Sequence, residues 1–468
     1  VRAGLAIVTA LSVALVVAIG AVGAAAAEPA RPVAAVIDEY VREGLTSNLS
    51  LRSATLEVER SQAALDAARA RFFPEAALVA RYTRAEGGRE IELPLSSVLN
   101  PVYGTLNELL ADQGQPARFP PIDDPRFTLQ REREQDTRLS LRQAVFAPAI
   151  PAAVRAQRAL LEGSEYAQLA LAQRLRRDIA VGYLDWLRAA RAVGIVESSR
   201  ALLAENLRVN EALLRSGRIT RDQVLRAEAE LLEVDQQLGE VRSGRDQARS
   251  YLNFLLNRPL DADAERAEPD TELRRAIADL ATLRQQALDR RPELERSAQI
   301  VAAAGARVDA AQAARWPTLA LAVDAGTQGE RYEFGRGRNF GTVSLLLDWP
   351  LVDGGARRAE LRAARSVERQ ARTQQEELQH QVQLEVQQAL DRLQTSAAAL
   401  RSAEARAGAA REAFRISARK RDEGALSQVE FLDSRNVLTR AELNLDATRF
   451  ELLARQADLD YATGASQP

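Results

Sequence analysis

The chain is written twice, about 207 residues apart. Arg215-Ser216-Gly217-Arg218-Ile219-Thr220-Arg221-Asp222-Gln223-Val224-Leu225 returns as Asp422-Glu423-Gly424-Ala425-Leu426-Ser427-Gln428-Val429-Glu430-Phe431-Leu432. Upstream, Asp66-Ala67-Ala68-Arg69-Ala70-Arg71-Phe72-Phe73-Pro74 returns as Asp309-Ala310-Ala311-Gln312-Ala313-Ala314-Arg315-Trp316-Pro317. Leu139-Ser140-Leu141-Arg142 likewise returns as Val343-Ser344-Leu345-Leu346. Both halves run helix, aromatic-proline, two short strands, a very long helix, a glycine turn and a last helix. A duplication of this size means one architecture made from two quasi-equivalent units.

The two strands of each half show in their alternation. Leu78, Ala80 and Tyr82 oppose Val79, Arg81 and Thr83 in a strand over about 75–84; Leu139 and Leu141 oppose Arg138, Ser140 and Arg142 in one over about 137–143. In the second half Leu319, Leu321 and Val323 alternate within 318–326, and Val343, Leu345 and Leu347 within 340–348. Period-two patterning of this length is a two-faced strand. A polar, proline-rich loop, about 85–133, separates the first pair, and a Gly- and Arg-rich loop, about 327–339, separates the second. The first half is the longer one between matched positions. Extra residues collect where a loop faces solvent.

After each strand pair comes a helix of unusual length, Ala152 to Ser216 and Ala356 to Glu423, each roughly 100 Å long. Leu378, Val382, Val386, Ala389 and Leu393 step by three and four in the second, as a coiled-coil seam does. Gly217 and Gly424 stop these helices as C-terminal caps. Thr220 with Gln223, and Ser427 with Glu430, then read as capping boxes that open the next helix. Each half therefore ends in a helical hairpin whose tip lies far from its strands. The domain plan is a signal peptide over 1–27, a first repeat over 28–257, a linker over 258–270, a second repeat over 271–464 and a tail over 465–468. The first helix is expected to run unbroken over 33–73.

The N-terminus has Arg2, an apolar run from Leu5 to Val22, and small residues before Glu28-Pro29, a pattern for export with cleavage near Ala27. A retained membrane helix is the other reading, because the run approaches spanning length. With a net charge of −2, the chain makes no electrostatic case for nucleic acid. It has no Cys, no Met and a single His, His380, on a polar helix stretch, so thiolate, nucleophile-base and imidazole-metal chemistry have almost nothing to work with. Gly335-Arg336-Gly337 precedes a strand and reads as a loop tip. No enzyme activity, cofactor or metal is expected.

Four strands with one apolar face cannot stand alone in lipid, where only closed barrels satisfy every backbone group. The smallest membrane barrels need about eight strands. The barrel must then be shared, and three copies give twelve strands. Phe72, Phe73, Phe146, Trp316 and Trp349 fall where strands meet helices, which fits an interfacial aromatic belt. The same residues also fit hydrophobic staples at a strand-helix junction.

The chain resembles the TolC-like outer membrane efflux protein family over essentially its whole mature length. The duplicated strand-long-helix layout carries the resemblance, together with the turn Trp349-Pro350-Leu351-Val352-Asp353-Gly354-Gly355 and the pattern Gly424-x-x-Ser427-x-Val429-Glu430-x-Leu432-Asp433. It implies a mixed, mostly α fold: long coiled-coil hairpins forming a periplasmic tunnel, and four strands per chain in a shared twelve-stranded barrel. It further implies a homotrimer in the outer membrane of a Gram-negative cell. Such a trimer is a passive duct for tripartite efflux or type I secretion, working with a periplasmic adaptor (a membrane fusion protein) and an inner-membrane pump of RND, ABC or MFS type. A coiled-coil adaptor or scaffold without a membrane barrel is the competing reading; an adaptor is expected to carry one hairpin, not two.

Glu430 and Asp433 share a helix face three residues apart, and the resemblance supports an acidic pore constriction there. Acids in a first turn also serve the helix dipole and the capping box. The tips, Ser216, Gly217, Arg218, Ile219 and Thr220 with Glu423, Gly424, Ala425, Leu426 and Ser427, are the expected adaptor contacts; turning the chain is their simpler role. Arg421 and Leu426 flank the second tip and put in doubt the polar gate clamp of some relatives.

Overall fold

Asn48 interrupts the stretch that reads as one helix. Its side-chain oxygen accepts from the N–H of Leu51 at 3.1 Å, which starts a new helix. The sequence expectation of a single helix over 33–73 is thus corrected to α1, Val33–Ser47, and α2, Leu49–Ala70. A side chain able to cap locally competes with helix continuation. The computed structural model describes residues 31–128, 131–267 and 278–465; the expected signal peptide, residues 268–270 of the linker and the start of the second repeat lie outside the described residues.

The elements that follow are β1 (Glu75–Arg84), β2 (Glu90–Glu92), α3 (Ser96–Asp112), β3 (Arg126–Thr128), β4 (Arg133–Phe146), α4 (Ala149–Arg215) and α5 (Arg221–Leu255). The second half supplies α6 (Leu280–Arg290), α7 (Pro292–Ala313), β5 (Thr318–Gly329), β6 (Asn339–Asp348), α8 (Ala356–Asp422) and α9 (Gln428–Ala462). The duplication is kept to the residue. α4 and α8 are each 67 residues long, and α5 and α9 each 35. Their ends are offset by 207, whereas α2 and α7 are offset by 243. The change of offset places the extra residues between β1 and β4. That segment is not the plain loop expected over 85–133: it holds the β2–β3 ribbon and α3. β4 is also longer than the expected 137–143, because pairing with both β1 and β5 carries it past its alternating core.

The described residues fall into two compact units, each drawing on both repeats. The unit built from 62–159 and 302–369 contains the sheet, with strand order β1-β4-β5-β6 and antiparallel pairing throughout. β1 and β6 are its edges. At Gly326 an added Cβ would lie 2.3 Å from the carbonyl oxygen of Thr137, so β4 and β5 approach there only because glycine has no side chain.

The other unit holds the hairpin tips and the main core. In α1, Val33, Val36, Tyr40 and Val41 are buried at helical spacing. They pack with Ile179, Tyr183, Trp186, Leu252, Leu256 and Phe450. Tyr40 meets Tyr183 edge-on at 5.4 Å, and Tyr183 stacks on Trp186 at 5.8 Å. The described part of the linker is packed here: Tyr183 donates to the Glu265 carbonyl at 3.0 Å, and the Glu265 N–H donates to the Tyr40 hydroxyl at 2.9 Å. The matching core of the second repeat is aliphatic, with Leu283, Val382, Val386, Leu390, Leu393 and Leu459. One bond survives between the repeats with its side chain exchanged. Asn48 donates to the Leu255 carbonyl at 2.8 Å, and at the equivalent place Arg291 donates to the Ala462 carbonyl at 3.4 Å. Arg291 is buried, paired with Glu293 and Glu385, and lies over the Tyr461 ring.

Candidate functional site: the hairpin tips and the two-faced sheet

A helix leaves its last carbonyls without partners, and both tips solve this in the same way. Gly217 has φ +70° and Gly424 φ +74°. At the first tip the N–H of Arg218 donates to the Leu213 carbonyl and that of Gly217 to the Leu214 carbonyl. At the second, Ala425 donates to Lys420 and Gly424 to Arg421. These are Schellman motifs, and only glycine takes the left-handed position without strain.

The restart differs. Ser427 accepts from the Glu430 N–H at 3.3 Å, while Glu430 Oε2 accepts from the Ser427 N–H at 3.2 Å and its hydroxyl at 2.8 Å. The expected capping box is therefore present at the second tip. It is absent at the first: the Thr220 side chain makes no capping bond. Gln223 is neutral and makes a weaker return partner than a carboxylate, whose bonds are charge-assisted. The Ser427 bonds, with Lys420 nearby, hold the Glu430 carboxyl below the usual range for glutamate.

Ser216, Gly217, Arg218 and Thr220 are exposed, with Ile219 half-buried; Glu423, Gly424, Ala425 and Ser427 are exposed, with Leu426 half-buried. Glu430 and Asp433 are both exposed. The tips thus offer polar surface, and the acids stand on it.

Beneath the second tip lies a link that the sequence reading did not identify. Arg421 Nη2 donates to Asn206 Oδ1 on α4 at 2.6 Å, and its guanidinium lies 4.0 Å from the centre of the Phe431 ring. Phe431 packs on Phe414 at 5.6 Å, and Arg435 lies over Phe414 at 5.5 Å. Asn206 and Asn210 are buried in α4, one turn apart from Leu203 onward. Polar residues at seam positions were the available signal, since a seam otherwise carries apolar side chains.

The sheet has two chemistries. Pairing places Leu78, Leu139 and Ala325 in line, and Leu141, Val323 and Val343 in line. Leu321 with Leu345, and Leu319 with Leu347, continue the same face. This face is open: Leu78 and Val343 are each 74% exposed and Leu345 65%. The opposite face carries Arg81, Arg138, Asp136, Ser140 and Asp324. Asp136 sits 3.8 Å from both Arg81 and Arg138, and Ser140 donates to Asp324 at 2.6 Å. All four alternation patterns read from the sequence fall on one face.

Phe72, Phe73, Phe146, Trp316 and Trp349 are exposed at the helix end of the sheet, and Trp349 Nε1 donates to the Arg315 carbonyl at 3.3 Å. In the turn that follows, Gly354 and Gly355 have positive φ. Asp353 accepts from Gly355 N–H at 3.0 Å and from Arg357 N–H at 2.9 Å; the Arg357 guanidinium first, and then these backbone bonds, bring the pKa of its carboxyl down to about 2. A second aromatic set at the other end escaped the sequence reading. Tyr82, Tyr332 and Phe334 are exposed there, and the Tyr332 hydroxyl bonds Thr137 at 3.0 Å. The β5–β6 loop closes over that end of the apolar face, where Glu333 O accepts from Thr327 at 3.2 Å and Arg331 O from Gln135 at 3.4 Å. His380 is exposed on α8. Among the described residues no group of His, Asp or Glu is arranged to hold a metal, and no helix is long and apolar enough to cross a membrane.

Residues 283–465 match the family model for outer membrane efflux protein. Among curated proteins no sequence match is found. The fold is similar to that of solved channels. The outer-membrane channel OprN aligns with TM-score 0.74 and 20% identity over 92% of this chain and 90% of its own. The CmeC outer membrane channel of Campylobacter jejuni aligns with TM-score 0.75 and 15% identity over 92% and 87%. The outer membrane protein VceC of Vibrio cholerae aligns with TM-score 0.72 and 19% identity over 92% and 96%. Residues 283–465 are thus similar to outer membrane efflux proteins, and the chain as a whole has the fold of these outer-membrane channels.

Proposed function

We propose that the chain is one protomer of a trimeric outer-membrane exit duct. The observation that carries this reading is the four-stranded sheet with one open apolar face, one charged face and two free edges, β1 and β6. Such a sheet is unsatisfied in water and in lipid alike. Joining β1 of one copy to β6 of the next closes twelve strands, with the apolar face outward and the Arg81–Asp136–Arg138 face lining the lumen. From Trp316 to Thr327 is eleven residues. That is about 37 Å along the strand and about 28 Å of membrane height at the usual tilt, close to the apolar band of outer-membrane barrels.

The duct is passive and serves efflux; the chain is a transporter component and not an enzyme. Its long hairpins form a periplasmic tunnel, and the exposed tips dock on a periplasmic adaptor joined to an inner-membrane pump. At the second tip three copies bring six carboxylates, Glu430 and Asp433 from each, around the mouth. Glu430 caps its helix through Oε2 and keeps its charge, so both roles fit one side chain. The scaffold reading lacks a cover for the open apolar face.

The test is the mass of the detergent-solubilised protein after carbonate washing of the membranes. The duct reading expects a trimer retained in the membrane fraction. A folded lone protomer, or release by carbonate, would sink it.

A further inference from the structure

The 48-residue crossing from β1 to β4 contains α3, and only one side of α3 is occupied. Asn100 Nδ2 donates to the Ile122 carbonyl at 3.0 Å, and its Oδ1 accepts from the Ile122 N–H at 2.9 Å. Asn107 does the same with Phe119, donating at 2.6 Å and accepting from its N–H at 3.1 Å. Tyr103 packs on the Phe119 ring at 5.5 Å. These clamps make residues 96–122 an ordered piece rather than a slack loop. Along the free side, Val98, Val102, Leu106 and Leu109 recur at spacings of four, four and three, so they form one stripe. All four are exposed; Val98 is 65% open. Contiguous apolar surface on an ordered element marks a contact.

Two covers have the right chemistry, a lipid surface and another copy of the chain. Helices that lie on anionic membranes carry Lys and Arg on their polar side. The charged residues of α3 are Glu108 and Asp112, with no basic residue among its seventeen. Charge therefore disfavours an anionic lipid surface. Position favours another copy. The Ala85 N–H donates to the Glu132 carbonyl at 2.9 Å, so both ends of the crossing continue the β1–β4 ladder. β1 is a sheet edge, and in the trimer described above it is the edge that receives the neighbour. The reach also suffices. Seventeen residues of helix span about 25 Å, and twelve tilted strands about 4.8 Å apart enclose a mouth about 25 Å across.

We propose that the Val98–Val102–Leu106–Leu109 stripe is an interface between copies, packing against the same stripe of its neighbours at the outer mouth. The inference rests on the trimeric duct reading. The chain has no native cysteine, so single thiols can be placed cleanly. The full-length protein in native membranes, carrying Val102→Cys or Glu108→Cys, is treated with a short bifunctional maleimide. Covalent dimers and trimers are expected for Val102→Cys, at least fivefold above those of Glu108→Cys on the polar side. Equal cross-linking at the two positions, or none at Val102→Cys in protein that migrates as a native trimer, overturns the interface and leaves the duct reading standing. A thiol at position 102 that is shielded from a hydrophilic maleimide yet never cross-links puts the stripe against lipid and also overturns it. Migration as a native monomer removes the duct reading and this interface together.

Discussion

At Gly217 and Gly424 the backbone turns through the same hydrogen bonds, yet the side chains around the second turn make contacts that the first lacks. The second restarts with a reciprocal cap, joins Arg421 to Asn206, and sets Glu430 and Asp433 on open surface. The first restarts without a side-chain cap and has Gln223 and Arg226 at the matching positions. The two copies therefore share the frame, and only the second carries the acidic pair at these positions. The strand pairs differ in the opposite sense: the first carries α3 and a ribbon between its strands, while the second has a short loop. Backbone geometry survives divergence because glycine and capping positions are few and sterically fixed. Exposed side chains are not so constrained.

The largest expected effect separates the two cores. Trp186→Ala, in the aromatic core of the first repeat, should cost about 3–5 kcal/mol. Its counterpart Leu393→Ala should fall at the low end of about 2–5 kcal/mol, since alanine leaves a smaller cavity there. Thermal loss of helical circular dichroism in detergent ranks the two; a lower melting temperature for Leu393→Ala would break the comparison.

Next comes the contrast between sheet faces. Leu345→Arg should cost about 2–4 kcal/mol near mid-bilayer and deplete assembled trimer. Ser344→Arg, on the charged face, should leave trimer yield near that of the parent. Equal yields from the two variants would show that the apolar face does not meet lipid.

A smaller effect tests the caps. Ser427→Ala should cost about 0.5–2 kcal/mol of local stability, whereas Thr220→Ala should cost a few tenths. Hydrogen exchange at residues 428–431 and 221–224 reads each tip separately. Matching losses of protection would mean that Thr220 caps after all.

The smallest effect is on selectivity. Glu430→Ala with Asp433→Ala should reduce cation preference in planar bilayers, and Gln223→Ala with Arg226→Ala should not. An unchanged reversal potential in the first pair would remove these acids from the pore. Acid titration adds a sign. The folded Glu430 value lies below the ordinary one, so the stability from its charged cap is present above the ordinary glutamate range and is lost as pH falls through that lowered value. Cation preference should therefore persist below the ordinary glutamate range.

Much of this was legible in the residues. The 207-residue repeat, Gly217, Gly424 and the four alternating runs gave the helices, the turns and a two-faced strand set, because period and steric permission are local properties. Asn48 could not be read as a break, since its side chain decides between continuing and capping only once Leu255 is in place to receive its other bond. Thr220 and Ser427 spell the same motif, but only the carboxylate of Glu430 closes it. α3 was hidden by the prolines and polar residues around it. Sequence by itself determined the repeat, the element order and which residues of each strand share a face. The tertiary structure decided that all four strands turn that face the same way, that Arg421 reaches Asn206, and that the stripe of α3 stays uncovered. Those depend on pairing register and on distances between segments far apart in the chain, which no local pattern encodes.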